Sequence, residues 1–344
     1  MISSILLFLL ATLLLVGGSE LVSRGTASMA RHLSISETMI GMTIIAFSTS
    51  SPELLVNVFA SAGDYPDIAF GNIIGSNIFN ILIITGVIGL LCPFSVKRAS
   101  VLKLLPFSII TTILFWIIIN DVALFGSNHN ELSRLDGGIL VLGVFQFFLF
   151  YIIYQLALSH MKLTGGYALR VPDLLTKPFK EKEAEPEPDD KRGIIYTPVF
   201  STIFFLIGIA SLIIGGYLVV NEAVVISRDF GPSHKLLSLS FIAIFTSIPE
   251  LTFSIITLRR GDNSLAAANL LGSNIFNISF VMGISAFIKP LSFNTALNTD
   301  MFILVLTSMM LYFLFSGKRV VKHWEATALI ITYLAYLSFI VVRG

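Results

Sequence analysis

Glu53 stands beside Pro52 in "AFSTSSPELL", residues 46–55, and Glu250 stands beside Pro249 in "AIFTSIPELT", residues 243–252. Both carboxylates fall in long apolar stretches, where a membrane helix normally tolerates neither a charge nor a helix-breaking ring. Proline has no N–H, so each one leaves the carbonyl a turn earlier without its helical partner. That oxygen is costly in lipid unless it faces a cavity or an ion. Helical spacing then gathers the neighbouring polar groups. Thr49 and Ser50 precede Glu53 by four and three residues and share its face, and Thr246, Ser247 and Glu250 repeat the arrangement. The following segment places Asn72, Ser76 and Asn80 on one stripe at intervals of four, matched by Asn269, Ser273 and Asn277. The chemistry common to these groups is oxygen ligation: two carboxylates, four amide carbonyls, hydroxyls and freed backbone carbonyls, with no thiolate or imidazole. Such a set suits a hard cation. An irregular cage of roughly six to eight oxygens favours calcium over strictly octahedral magnesium.

Charge leads to the same place. An acidic side chain in a membrane costs roughly 2.5–3.5 kcal/mol on insertion scales and normally finds a partner. Apart from Lys235 at the very edge of the second, no Lys or Arg falls inside the segments that carry Glu53 and Glu250. One calcium or two sodium ions would neutralise the pair, which is the electrostatic basis of an exchange. Asn77 and Asn274 sit about 100° off the stripe and read as contacts between helices rather than ligands. Glu20 and Glu222, near helix ends, read as solvated.

These residues need an apolar scaffold. The chain has 344 residues, 55% hydrophobic and only 12% charged, with mean hydropathy +0.87. A soluble domain carries about 25% charged residues, so this composition indicates an all-α polytopic membrane protein. A net charge of +1 shows no basic excess of the kind nucleic acid selects, and the single Cys92 excludes an intrachain disulfide or a cysteine metal cluster. Ten segments approach the roughly 20 apolar residues a bilayer requires: 2–22, 37–61, 67–91, 101–119, 137–159, 197–221, 235–258, 264–288, 300–316 and 324–342. The first lacks a basic flank and runs on past Gly17 and Gly18, so it reads as a span rather than a leader. The polar stretch 161–196, with "KPFKEKEAEPEPDDKRG", reads as a disordered linker between 1–160 and 197–344.

Five spans before the linker and five after it invert the second half relative to the first. Sliding the chain by 197 residues aligns 46–86 with 243–283 without a gap, with 16 of 41 positions identical, including Thr, Ser, Pro, Glu, Asn and Gly. Inverted repeats with broken helices near the midplane point to a secondary transporter. With the N-terminus outside, 17 of the 22 Lys and Arg fall on the inner side, so both termini are expected outside the cell membrane and the linker in the cytoplasm. A proton-coupled cation antiporter is the alternative. The five histidines, at 32, 129, 160, 234 and 323, all lie in loops or at span ends, which removes one type of proton relay. An intramembrane serine protease would need a Gly-x-Ser-Gly nucleophile and a buried histidine, and neither is present.

At "TSSPE…GNIIGSNIFN" and "TSIPE…ANLLGSNIFN" the sequence resembles the sodium/calcium exchanger branch of the calcium/cation antiporter superfamily, whose paired α-repeats these motifs match. The resemblance extends over the ten-helix layout with its cytoplasmic middle loop. It implies that Glu53 and Glu250 are the central calcium and sodium ligands, with Asn80 and Asn277 completing the ring. It gives Thr49, Ser50, Thr246 and Ser247 hydroxyl or carbonyl roles, places Ser76 and Ser273 beside sodium sites, and assigns backbone-carbonyl ligation to Ala46 and Ala243. It further implies an antiporter, not an enzyme, that extrudes calcium by alternating access. Such a protein would need no resident cofactor and could work as a monomer, with calcium and sodium as cargo. Three departures stand out, one being a linker too short to house the calcium-sensing domains of animal exchangers. Asn277 replaces an Asp common in prokaryotic relatives, and Ser48 and Phe245 replace the glycine usual before Thr-Ser.

Overall fold

The computed structural model describes residues 2–32, 45–91, 98–126, 129–163, 196–230, 236, 238–259, 263–316 and 320–343. Most of the expected linker, residues 164–195, lies outside the described residues, as do Cys92 and the start of the second expected span. Helix dominates, and every one of the ten expected spans carries one. We label them α1 (Ile2–His32), α2a (Ala46–Thr49), α2b (Ser51–Ala62), α3 (Pro66–Phe79, continuing through Thr85–Leu91), α4 (Arg98–Ile118) and α5 (Arg134–Leu163). The second half supplies α6 (Pro198–Phe230), α7a (Ala243–Thr246), α7b (Ile248–Arg259), α8 (Asn263–Phe276, continuing through Met282–Ile288), α9 (Asn298–Phe315) and α10 (His323–Arg343).

Among the described residues, six helices are long and apolar enough to cross a membrane alone, and the pair Ser238–Thr246 and Ile248–Arg259, bent by 42°, makes a seventh. The second span is interrupted at Ser50. The first helix of each repeat instead exceeds expectation: α1 has 31 residues and α6 has 33.

α1 and α6 lie against each other and run antiparallel, because Gly18 faces Gly208, Gly25 faces Ser201 and Gly215 faces Ala11. The backbones touch there: a Cβ on Gly18 would come within 2.9 Å of the Gly208 carbonyl. The inner helices are exchanged between repeats. Gly86, late in α3, packs on Ala326 and Ile330 of α10, while its repeat mate Gly283 in α8 packs on Gly137 and Val141 of α5. Each repeat's third helix therefore rests on the other's fifth, and neither half buries its apolar surface alone.

The loop ends on one side are tied together. Strand β1 (Glu131–Leu132) pairs antiparallel with β2 (Leu291–Ser292). Lys289 meets Asp64 at 2.9 Å, and Arg343 at the end of α10 meets the fully buried Asp300 of α9 at 2.7 Å. The 2–3, 4–5 and 8–9 connections and the C-terminal end of α10 thus share one face, as an odd number of spans per repeat requires.

Candidate ion-binding site

Both Pro-Glu motifs fold as the same local break. Ser50 and Ser247 sit at the joints with near-identical dihedrals, φ −84°, ψ 7° and φ −85°, ψ 4°. Neighbouring helical bonds survive: Ser50 N–H donates to Ala46 at 3.1 Å and Ser247 N–H to Ala243 at 3.3 Å. Proline at the second position of the new helix forfeits little, because that N–H has no intrahelical partner anyway. One expectation fails here. The carbonyl freed by Pro52 belongs to Ser48, and it accepts the Ser19 hydroxyl of α1 at 2.7 Å rather than being reserved for an ion. A membrane-buried carbonyl takes whatever donor the packing offers.

The following helices change gauge at their key asparagines. Wide π turns span Asn80–Ile84 and Asn277–Val281, and a third, Ser238–Ile242, leads into α7a. Such turns re-aim side chains and concentrate at functional sites. The Asn80 turn packs against α7b, which carries Glu250, and the Asn277 turn packs against α2b, which carries Glu53.

The carboxylates are wholly buried and each is held by the opposite repeat. Ser50 Oγ donates to Glu250 Oε1 at 3.1 Å, and Ser247 Oγ donates to Glu53 Oε1 at 3.3 Å. The asparagines are likewise crossed: Asn80 Nδ2 donates to Asn274 Oδ1 at 3.1 Å, and Asn277 Nδ2 donates to Asn77 Oδ1 at 3.3 Å. Asn77 and Asn274 act between helices, as their offset from the stripe suggested. By binding the amide nitrogens they turn both carbonyl oxygens the other way. Four buried oxygens then have no donor at all: Glu53 Oε2, Glu250 Oε2, Asn80 Oδ1 and Asn277 Oδ1. Each buried acceptor left so costs about 1–3 kcal/mol, more if charged. Ion pairs among the described residues join Arg24 to Glu20, His129 to Glu131, Lys289 to Asp64 and Arg343 to Asp300, and none reaches these two glutamates.

Hydroxyl clusters flank this centre. On one side Thr49 Oγ1 lies 3.3 Å from Ser273 Oγ and donates to the Ala46 carbonyl and to Asn269 Oδ1, both at 3.3 Å. On the other, Thr246 Oγ1 lies 3.3 Å from Ser76 Oγ and donates to Asn72 Oδ1 at 3.1 Å and to the Ala243 carbonyl at 3.3 Å. Ten of the twelve expected site residues take part in these crossed contacts, and Asn80 and Asn277 sit on turns packed against the two glutamate-bearing helices. Asn72 and Asn269 do not offer free amide oxygens, since the threonines occupy them, so two amide carbonyls stay open where the stripe suggested four. The Phe245 ring packs on α1, meeting Phe8 edge-on at 5.8 Å.

Sequence reading missed two contributors to the site and one buried charge away from it. Asn57 lies four residues after Glu53, on its face, and accepts Asn72 Nδ2 at 2.8 Å. Ser19 had no periodic signal. Asp300, at the head of α9, was masked by its position at a span end, yet it is fully buried against Tyr336 and Arg343. Among the described residues no three His, Cys, Asp or Glu gather, so oxygen ligation by amides and hydroxyls around two carboxylates is what the core offers.

Comparison with known proteins agrees. The sequence profile of the family described as sodium/calcium exchanger protein matches residues 3–157 and 200–342. The chain is 35% identical over 291 residues to a putative antiporter, CaxA, of Alkalimonas amylolytica, covering 84% of this chain and 82% of that one. It is 28% identical to the sodium/calcium exchanger MaX1 of Methanosarcina acetivorans, over 96% of this chain and 97% of that one. Its fold is similar to that of the sodium-calcium exchanger NCX_Mj soaked with 2.5 mM Na+ and 10 mM Sr2+, with a TM-score of 0.61 and 26% identity over 98% of both chains. With a matching profile over both repeats and a matching fold, the chain belongs to the sodium/calcium exchanger family, as a multi-pass membrane antiporter and not an enzyme.

Proposed function

We propose that this antiporter couples inward sodium movement to calcium extrusion. The observation that carries the reading is the set of four donorless oxygens at the centre, Glu53 Oε2, Glu250 Oε2, Asn80 Oδ1 and Asn277 Oδ1. Two carboxylates and two carbonyls, drawn equally from the two repeats, suit one calcium ion. The hydroxyl clusters around Thr49 and Ser273, and around Thr246 and Ser76, suit monovalent sodium beside each carboxylate. Calcium and sodium then compete to neutralise Glu53 and Glu250, and only a neutralised core changes its facing. With sodium higher outside, that competition expels calcium.

α1 and α6, joined along their glycine faces, form the element that slides across the core; they touch it through Ser19, Phe8 and Gly216. The Lys and Arg distribution supports outward termini and a cytoplasmic linker. All proposed ligands come from one chain, so a monomer suffices.

Calcium uptake into proteoliposomes with sodium, potassium or protons as the sole counter-gradient tests the reading. Uptake driven by sodium alone supports it. Uptake driven by a proton gradient and indifferent to sodium would assign the open carboxylate oxygens to protons instead.

A further inference from the structure

The two halves of the site are braced unequally. In the first repeat a chain of hydrogen bonds runs from backbone to hydroxyl cluster. Asn57 Nδ2 donates to the Ala69 carbonyl at 3.2 Å and also approaches Met282 Sδ at 3.4 Å. Asn57 Oδ1 accepts Asn72 Nδ2 at 2.8 Å, and Asn72 Oδ1 accepts Thr246 Oγ1 at 3.1 Å. Every link is fully or almost fully buried. With both ends of the Asn72 amide engaged, the Thr246 hydrogen is held between Asn72 Oδ1 at 3.1 Å and the Ala243 carbonyl at 3.3 Å, and its lone pairs are left for a cation.

The second repeat lacks the brace. Asn269 matches Asn72 and accepts Thr49 Oγ1 at 3.3 Å, but the residue that matches Asn57 is Ser254. Asn269 Nδ2 and Ser254 Oγ are both buried and both without a partner, on helices packed against each other. The serine is an amide group shorter than asparagine and does not turn back onto its own helix. An amide held at one end only can rotate and present either its oxygen or its nitrogen to Thr49.

We infer that Asn57 and Ser254 are positioning residues: through Asn72 and Asn269 they make the Thr246–Ser76 cluster rigid and the Thr49–Ser273 cluster soft, and so set how tightly sodium binds relative to calcium. The inference rests on the exchanger reading above. The central calcium oxygens are oriented by a separate pair, Asn77 and Asn274, so bracing a hydroxyl cluster acts on sodium selectively.

The test measures half-saturating sodium and half-saturating calcium for exchange in proteoliposomes of the full chain, for Ser254→Asn and Asn57→Ser. Asparagine at 254 supplies the missing acceptor for Asn269 Nδ2, with its own nitrogen facing Ala266, the match of Ala69. One buried side-chain hydrogen bond corresponds to a change of about twofold to tenfold. Half-saturating sodium is expected to fall by that factor in Ser254→Asn and to rise by it in Asn57→Ser, with half-saturating calcium unchanged within about twofold. Both ions shifting together, or neither shifting, in a variant that still exchanges would overturn the inference while leaving the exchanger reading intact. If Ser254→Asn does not yield folded protein, Asn57→Ser decides alone. Absence of sodium-driven calcium flux in the unmodified protein would sink the exchanger reading instead.

Discussion

The Ser50 hydroxyl donates to Glu250 across 3.1 Å, joining the break in one repeat to the carboxylate of the other. Ser247 returns the contact to Glu53 at 3.3 Å. Each carboxylate is steadied through one oxygen by the opposite repeat and keeps its second oxygen open. The site is therefore a property of the interface between repeats. Anything that slides one against the other changes its ligands.

Glu53→Gln and Glu250→Gln keep the shape of the side chain and its hydrogen-bond acceptor but remove the charge that a divalent cation balances. Sodium-dependent calcium flux is expected to fall by at least on the order of 100-fold in either variant. Gel filtration should show the same monodisperse protein as the parent. Flux at the parental rate from Glu53→Gln would remove that residue from the site.

Asn277→Asp adds a third carboxylate where the centre now has a neutral amide. An ionised aspartate ligates and a protonated one does not, so the added group withdraws from the site as pH falls. Calcium flux in the variant should decline more steeply on acidification than in the parent. Superimposable pH profiles would argue that position 277 does not face the cations.

Asn274→Leu removes the acceptor that holds Asn80 Nδ2, leaving the Asn80 carbonyl free to turn from the centre. Half-saturating calcium is expected to rise by about twofold to tenfold, the worth of one buried hydrogen bond. Isothermal titration of calcium into detergent-solubilised protein reads this without transport.

Ser19→Ala strips the donor from the Ser48 carbonyl, which Pro52 already deprives of its helical bond. A buried carbonyl left unsatisfied costs about 1–3 kcal/mol, so thermal unfolding in detergent should move down. An unchanged midpoint would mean another donor takes over. Gly18→Leu should destabilise by a similar amount, about 1–3 kcal/mol, because its Cβ would press on the Gly208 carbonyl where α1 crosses α6.

Much of this protein is legible along the chain. Composition and run length are one-dimensional quantities, so the membrane class and the helical segments follow from them. The duplicated Thr-Ser-x-Pro-Glu and Gly-Ser-Asn-Ile-Phe-Asn motifs bring ten of the twelve candidate ligands into view, because helical periodicity decides which residues share a face, while Ala46 and Ala243 come from the family resemblance. What stands opposite that face is not a property of spacing. Only the assembled repeats decided that Asn80 and Asn277 offer open oxygens while Asn72 and Asn269 are spent on threonines, that Ser19 takes the carbonyl freed by proline, and that Asn57 braces one half where Ser254 leaves the other unbraced. Each outcome depends on a donor or acceptor contributed by a distant segment, and in a water-poor core a polar group's availability is set by whichever partner the packing brings to it.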